Sequence, residues 1–188
     1  MTIGNQANRR VAVYCGSSVG NDPKFLAGAE ALGTEIARAG LGLVYGGTSI
    51  GLMGAVADAA LAGGAEVIGV LPRFLSEREI AHPGLTRLEL VTDLHERKAR
   101  MAELSDAFLA LPGAYGTLDE MIEAVTWAQL RLHSKPCILI NTACYWDGFA
   151  AFLDSMVAAG FLRVENRALL QVAASAGEAI GMVIRPCC

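Results

Sequence analysis

Six short apolar runs, at residues 11–15, 41–45, 66–71, 88–91, 107–111 and 136–140, alternate with segments of helical pattern. This alternation limits the fold more than any other feature of the chain. Strands that are apolar at every position cannot keep one face in water, so they belong to a sheet covered on both sides. A chain that returns through a helix after each strand builds that sheet in parallel. The helix signals agree. Asp22 can cap a helix that Pro23 begins, and Gly40 can end it before the second strand. Asp93 heads a second helix running through Leu104, with Glu96 three residues on completing a capping box. The expectation is a doubly wound, Rossmann-like α/β fold: one domain over residues 10–188 behind a disordered lead at 1–9. A length of 188 residues suits one such domain, and no internal repeat or linker suggests a second.

Composition narrows the function classes. The net charge of −4 offers no basic field to a nucleic-acid backbone, and no Lys/Arg stripe interleaves with aromatics, so nucleic acid is not an expected partner. No apolar run reaches the roughly 18 to 20 residues that span a bilayer, and the first ten residues lack a signal-peptide core. No membrane association is expected. The cysteines Cys15, Cys137, Cys144, Cys187 and Cys188 are odd in number and lack metal-ligand spacing, which fits a reducing cytoplasm. His82, His95 and His133 form no ligand set either, so no metal is expected.

In doubly wound sheets, ligands lie at the carboxyl ends of the strands. Three strands here end in small, polar turns. The first is Cys15-Gly16-Ser17-Ser18; the second begins Gly46-Gly47-Thr48 and ends Gly51-Leu52-Met53-Gly54. The third, Leu111-Pro112-Gly113-Ala114-Tyr115-Gly116-Thr117-Leu118-Asp119-Glu120, opens a helix whose early residues carry two carboxylates. Free N–H groups at a helix start, with the positive end of its dipole behind them, form an anion site. Neither glycine turn has the G-x-G-x-x-G spacing of a dinucleotide site. Neither is a P-loop, since Leu52 and Met53 stand where lysine and a hydroxyl residue are required. A mononucleotide held by one phosphate fits better, with no organic cofactor.

Arg97 and Lys98 lie near the start of a helix, where the dipole disfavours cations, so an anionic group is expected beside them. The alternative is a solvated face paired with Glu103. Arg97 is the stronger functional candidate because its planar fork can hold phosphate or a ring nitrogen in fixed geometry. Glu120 has two readings as well: a reactive carboxylate, or the third residue of a capping box whose cap is Thr117. Cys15 at a strand end reads either as a nucleophile or as a small buried hydrophobe.

Three ordered motifs, at residues 46–54, 94–98 and 112–120, together with Trp127-Ala128-Gln129-Leu130 and Lys135-Pro136, resemble the LOG (LONELY GUY) family of cytokinin riboside 5′-monophosphate phosphoribohydrolases, often labelled lysine-decarboxylase-like. The resemblance covers nearly the whole chain. Two positions depart from the family pattern: Ala114 replaces a glycine and Leu94 replaces a methionine. The resemblance implies hydrolysis of the N-glycosidic bond of N6-modified adenosine 5′-monophosphates, with Arg97 and Glu120 as the catalytic pair. It implies that Gly46, Gly47, Gly113, Ala114, Tyr115, Gly116 and Thr117 cradle the phosphate, helped by Ser17 and Lys98. It also implies a homodimer in which Arg78 and Glu79 reach the partner's ligand, and the apolar helix expected over residues 116–132 agrees with a covered surface. The alternatives are a broader nucleosidase acting on AMP and a non-catalytic carrier of nucleotide or molybdenum cofactor with a similar fold. Pyridoxal chemistry is not expected, because Lys24, Lys98 and Lys135 are the only lysines and no phosphate-pyridinium constellation surrounds them.

Overall fold

A computed structural model describes residues 9–76 and 81–185, the side chain of Ser76 aside. The first half runs β1 (Arg10–Tyr14), α1 (Pro23–Arg38), β2 (Gly42–Tyr45), α2 (Gly51–Ala62), β3 (Val67–Pro72), the short α3 (Arg73–Ser76), β4 (Arg87–Val91) and α4 (Leu94–Leu104). The second half runs β5 (Ala107–Ala110), α5 (Tyr115–Gln129), β6 (Cys137–Ile140), a 3-10 turn (Thr142–Cys144), α6 (Asp147–Ala158), α7 (Val164–Arg167), β7 (Leu170–Ala173) and α8 (Ala176–Ile184). The strands form one parallel sheet in the order β4-β3-β2-β1-β5-β6-β7. All six expected strands are present within a residue of their expected bounds. The seventh, β7, escaped the sequence reading because its two middle residues, Gln171 and Val172, are exposed and leave no apolar run.

The side-chain period of two divides the core into two layers. Val11, Val13, Leu43, Tyr45, Leu109, Ile138 and Ile140 face α1, α2 and α8. Ala12, Tyr14, Val44, Phe108, Ala110, Cys137 and Leu139 face α4, α5 and α6. The expected apolar-throughout character holds for the inner strands and fails for β4, which lies at the sheet edge and is largely exposed. With both faces of the inner strands filled, polar chemistry is left to the strand ends.

The caps follow the sequence at three helices. Asp22 accepts from the Lys24 N–H at 2.9 Å with Pro23 in the first helical position, and Gly40 follows α1 with φ +67°. Asp93 accepts from the Glu96 N–H at 2.8 Å, and the Glu96 carboxylate reaches back to the Thr92 N–H at 2.6 Å. Ser175 and Glu178 repeat the arrangement at α8. Helix α5 differs from expectation. It starts at Tyr115 with Ala114 at the cap position and no side-chain cap bond, and it ends at Gln129 rather than at residue 132. Thr117 is therefore inside the first turn and buried, and the expected capping box with Glu120 does not form. Of the lead expected at 1–9, residues 1–8 lie outside the described residues. No helix among the described residues is long and apolar enough to cross a membrane.

Helices α1 and α2 cross at Gly33, where an added Cβ would lie 2.4 Å from the Val56 carbonyl oxygen and 2.8 Å from the Ala60 nitrogen. These obstacles are backbone and cannot swing aside. Gly33→Ala should therefore destabilise the domain by about 1 to 3 kcal/mol, although alanine is the better helix former by about 1 kcal/mol. Urea denaturation measures this, and an unchanged or raised midpoint would show that the two helices separate freely.

Candidate active site

The strand order turns at β1, whose neighbours are β2 on one side and β5 on the other. There the loops after β1 and β5 leave in different directions and open a crevice, the usual ligand position of this architecture. Backbone contacts hold the crevice in shape. The Gly16 N–H donates to the Pro112 carbonyl at 3.0 Å, and the Leu52 N–H donates to the Gly16 carbonyl at 3.1 Å. Gly51 has φ +58°, and a Cβ there would lie 2.3 Å from the Ser17 carbonyl carbon, so α2 can start this close to the first loop only with glycine.

The crevice holds a cavity of about 190 Å³. Cys15, Gly16 and Ser17 line it from the β1 loop, Met53 from α2, Arg97 from α4, and Ala114, Gly116, Thr117 and Glu120 from the start of α5. A second compartment of about 200 Å³ adjoins it across Gly16, Ser17 and Ala114, and its far wall includes Val19, Phe25, Leu52 and Tyr145. The N–H groups of Tyr115, Gly116 and Thr117 belong to the first turn of α5 and have no carbonyl within their own helix to bond.

Arg97 and Glu120 meet as an ion pair in the cavity wall, with Nη2 and Oε1 3.3 Å apart and each side chain 13% exposed. Burial pushes the Glu120 carboxyl above its ordinary range, while the Arg97 guanidinium draws it back only partly. Arg97 Nε is buried without a hydrogen-bond partner. An orphaned donor of this kind costs about 1 to 3 kcal/mol, a cost that an incoming acceptor would relieve. The guanidinium lies directly on Gly46, where an added Cβ would fall 2.5 Å from Nη2 and 2.9 Å from Met53 Sδ. Gly113 has a similar role on the other wall, since a Cβ there would overlap Thr117 Oγ1 and Gly16 N.

The remaining sequence candidates divide clearly. Ser17, Ala114, Gly116 and Thr117 line the cavity with the Arg97–Glu120 pair, and Gly113 lines the adjoining compartment. Gly46 supports Arg97 from below. Gly47, at φ +84°, packs on Gly69 and accepts from the His82 N–H, and it does not line the cavity. Tyr115 is 90% exposed on the outside of the turn. Lys98 does not reach the cavity: its Nζ sits between Asp119 Oδ2 at 3.0 Å and Glu123 Oε2 at 2.9 Å. Burial opposes its charge, but these two carboxylates outweigh that and raise its pKa. Glu103 pairs with Arg100, so the solvated-face reading of Arg97 and Lys98 does not hold. Arg78 and Glu79 lie outside the described residues.

Cys15 is buried, and burial together with Glu120 pushes its thiol far above the ordinary range, which removes it as a nucleophile. Sequence reasoning missed Met53 as a wall residue although it stands within the second motif. It missed Tyr145 entirely, because no local pattern marks that residue. Ala114, the departure from the family glycine, has φ −103°, a conformation open to any residue, so the backbone does not require glycine there.

The family model described as "Possible lysine decarboxylase" matches residues 53–183. The chain is 46% identical over 172 residues to cytokinin riboside 5′-monophosphate phosphoribohydrolase LOG1 of Arabidopsis thaliana, covering 92% of this chain and 81% of that protein. It is 45% identical over 172 residues to the phosphoribohydrolase LOG of Oryza sativa subsp. japonica, covering 92% and 71%. The chain belongs to the LOG family. Its fold is shared with the molybdenum cofactor binding protein of Rippkaea orientalis at a TM-score of 0.71 and 22% identity, covering 95% of this chain and 96% of that one. The decarboxylase description of the family model finds no lysine to support it in this LOG-family site. Lys98 is held by two carboxylates, Lys135 Nζ donates to the Ala102 carbonyl at 2.7 Å, and Lys24 is exposed beside Pro23.

The contact between Gly46 and Arg97 gives a direct test. Gly46→Ala should move the guanidinium off its seat and lower turnover by roughly tenfold or more, since small misplacements of reacting groups are costly. The atoms it displaces are the mobile ends of Arg97 and Met53, so the melting temperature should change little. Wild-type turnover in a folded Gly46→Ala protein would show that the seat is not needed.

Proposed function

We propose that this LOG-family protein hydrolyses the N-glycosidic bond of N6-modified adenosine 5′-monophosphates, the cytokinin riboside monophosphates, to free base and ribose 5-phosphate, AMP being the unsubstituted member of that substrate class. The observation that carries this reading is the buried Arg97–Glu120 pair in a cavity whose adjoining wall is a helix N-terminus. The phosphate would sit against the first turn of α5, where unpaired N–H groups meet the positive end of the dipole. Its binding would place the ribose beside Glu120.

As the C1′–N9 bond breaks, its electron pair leaves with the purine and positive charge grows on the ribose, which the Glu120 carboxylate stabilises. The water oxygen then bonds to C1′, Glu120 takes the water proton, and the purine is protonated from solvent. The raised proton affinity of Glu120 suits it to this task. Arg97 would meet negative charge, on either the departing purine or the phosphate, and its orphaned Nε supports a ligand acceptor there. The carrier alternative rests on folds 22 to 25% identical, whereas the phosphoribohydrolase relatives are 45 to 46% identical. No cofactor enters this reaction.

The reading includes a cytoplasmic homodimer. On α5, Met121 enters the core, Val125 and Trp127 pack against it, and Ile122 and, just past the helix, Leu130 remain exposed, which supports a covering partner. Light scattering should give twice the chain mass at micromolar concentration, and a monomer would overturn the dimer.

Glu120→Gln separates chemistry from stability. Because the folded carboxyl is raised, the folded state holds its proton more tightly than the unfolded chain. The stability from this group is therefore present at low pH and is lost as pH rises toward and through the raised value. At neutral pH the glutamine variant should melt at or slightly above wild type, while turnover of AMP and of N6-substituted nucleotides falls roughly 100-fold or more. The wild-type activity should decline in acid with an apparent pKa above 4.5. Adenosine, which lacks the phosphate, should be a far poorer substrate. Base release from Glu120→Gln at the wild-type rate, or equal efficiency on AMP and adenosine, would overturn the mechanism.

A further inference from the structure

We propose that Tyr145 is a positioning residue for the nucleotide phosphate, acting through the peptide that joins Gly113 to Ala114; this rests on the hydrolase reading above. The Tyr145 hydroxyl donates to the Gly113 carbonyl at 2.6 Å. A trans peptide is planar, and its C=O and N–H project in opposite directions. No cis peptide occurs among the described residues. Tyr145 and Gly113 line the second compartment and not the catalytic cavity, whereas Ala114 lines both. Holding the carbonyl on the Tyr145 side therefore turns the Ala114 N–H toward the catalytic side, at the head of α5. Gly113 has no side chain to stop this peptide from rotating. Without the phenol the plane is free to flip and present a carbonyl oxygen, which repels phosphate.

The segment that carries Tyr145 is under strain, and the strain is confined to its approach. Ala143 and Cys144 are consecutive non-glycine residues in the left-handed region, at φ +53° and +61°. Such conformations persist where the surroundings enforce them. Here Asn141 does so: its Oδ1 accepts from the Trp146 N–H at 2.8 Å, and its Nδ2 donates to Asp147 Oδ1 at 2.7 Å. Phe25 meets the Tyr145 ring edge-on at 5.6 Å, and Trp146 does so at 4.9 Å. Two aromatic contacts and a strained turn thus fix one ring whose hydroxyl bonds to the phosphate turn.

Tyr145→Phe removes the hydroxyl and keeps both ring contacts. The expected result is a loss of about tenfold in kcat/KM on AMP, mostly through KM, in keeping with one lost hydrogen bond. On adenosine the change should stay under about twofold, because the lost group acts only on phosphate. Ribose 5-phosphate affinity, measured by calorimetry, should fall by about the same tenfold. A hydroxyl that merely stabilises the loop would lower both substrates alike and leave the affinity ratio unchanged, and either result overturns the inference. Should Tyr145→Phe fold poorly, Phe25→Leu keeps the hydroxyl but loosens the ring. A smaller loss, again selective for phosphate, is then expected, and a loss equal on both substrates overturns it. If the wild type hydrolyses no nucleotide, the hydrolase reading fails alone, and the ribose 5-phosphate affinities of the two proteins still decide this one; equal affinity, or none in either, rejects it.

Discussion

The separation of Arg97 from Glu120 is set by backbone more than by their mutual attraction. One stands on α4, which packs over β1, β2 and β3, and the other on α5, which packs over β1, β5 and β6, so the pair straddles the strand at which the sheet order turns. The ion pair alone would not fix this contact, because an imperfectly paired buried charge gains little over its lost hydration. Lys98 does that work one residue along. Its ammonium bridges Asp119 and Glu123 on α5 and ties the two helices together. The carboxylate and the guanidinium are then presented to the crevice, and neither is free to relax toward a better partner.

The same economy of contacts explains where glycine occurs. Gly46 and Gly113 each face a side chain, Arg97 and Thr117 respectively, that occupies the volume a Cβ would take. Ala114, next to Gly113, has a negative φ and lines both compartments. A motif read as one phosphate-binding device is therefore two things: a few positions that leave N–H groups open, and others that let functional side chains sit against the main chain.

This distinction marks the boundary of what the sequence could reveal. The parallel sheet was legible because its inner strands are apolar on both faces. The caps at Asp22 and Asp93 were legible because they act within four residues. Thr117 was left with two readings because a hydroxyl three residues before a glutamate fits a capping box equally well. Only the third dimension places it inside the turn against Gly113. Strand β7 was missed because an edge strand keeps polar character. Arg97 was preferred to Lys98 for its planar fork, but where each side chain goes was not legible: adjacent helical positions point about 100° apart, sending one into the crevice and the other to the flank of α5. Tyr145 was invisible because its partner lies 32 residues away.

The charge distribution has a kinetic corollary. Arg97 and Glu120 cancel, and Lys98 is outnumbered by Asp119 and Glu123, on a chain whose net charge is −4. A doubly charged phosphate approaching from solvent thus meets no long-range attraction. In the proposed site it would be favoured only at contact, by oriented N–H groups and by the dipole of α5, whose influence fades within about a turn of helix. On that reading encounter would proceed by diffusion without electrostatic steering, and selectivity for the phosphate would arise after the ligand has arrived. Added salt, which slows association where opposite charges steer it, would here leave capture unchanged or make it slightly faster.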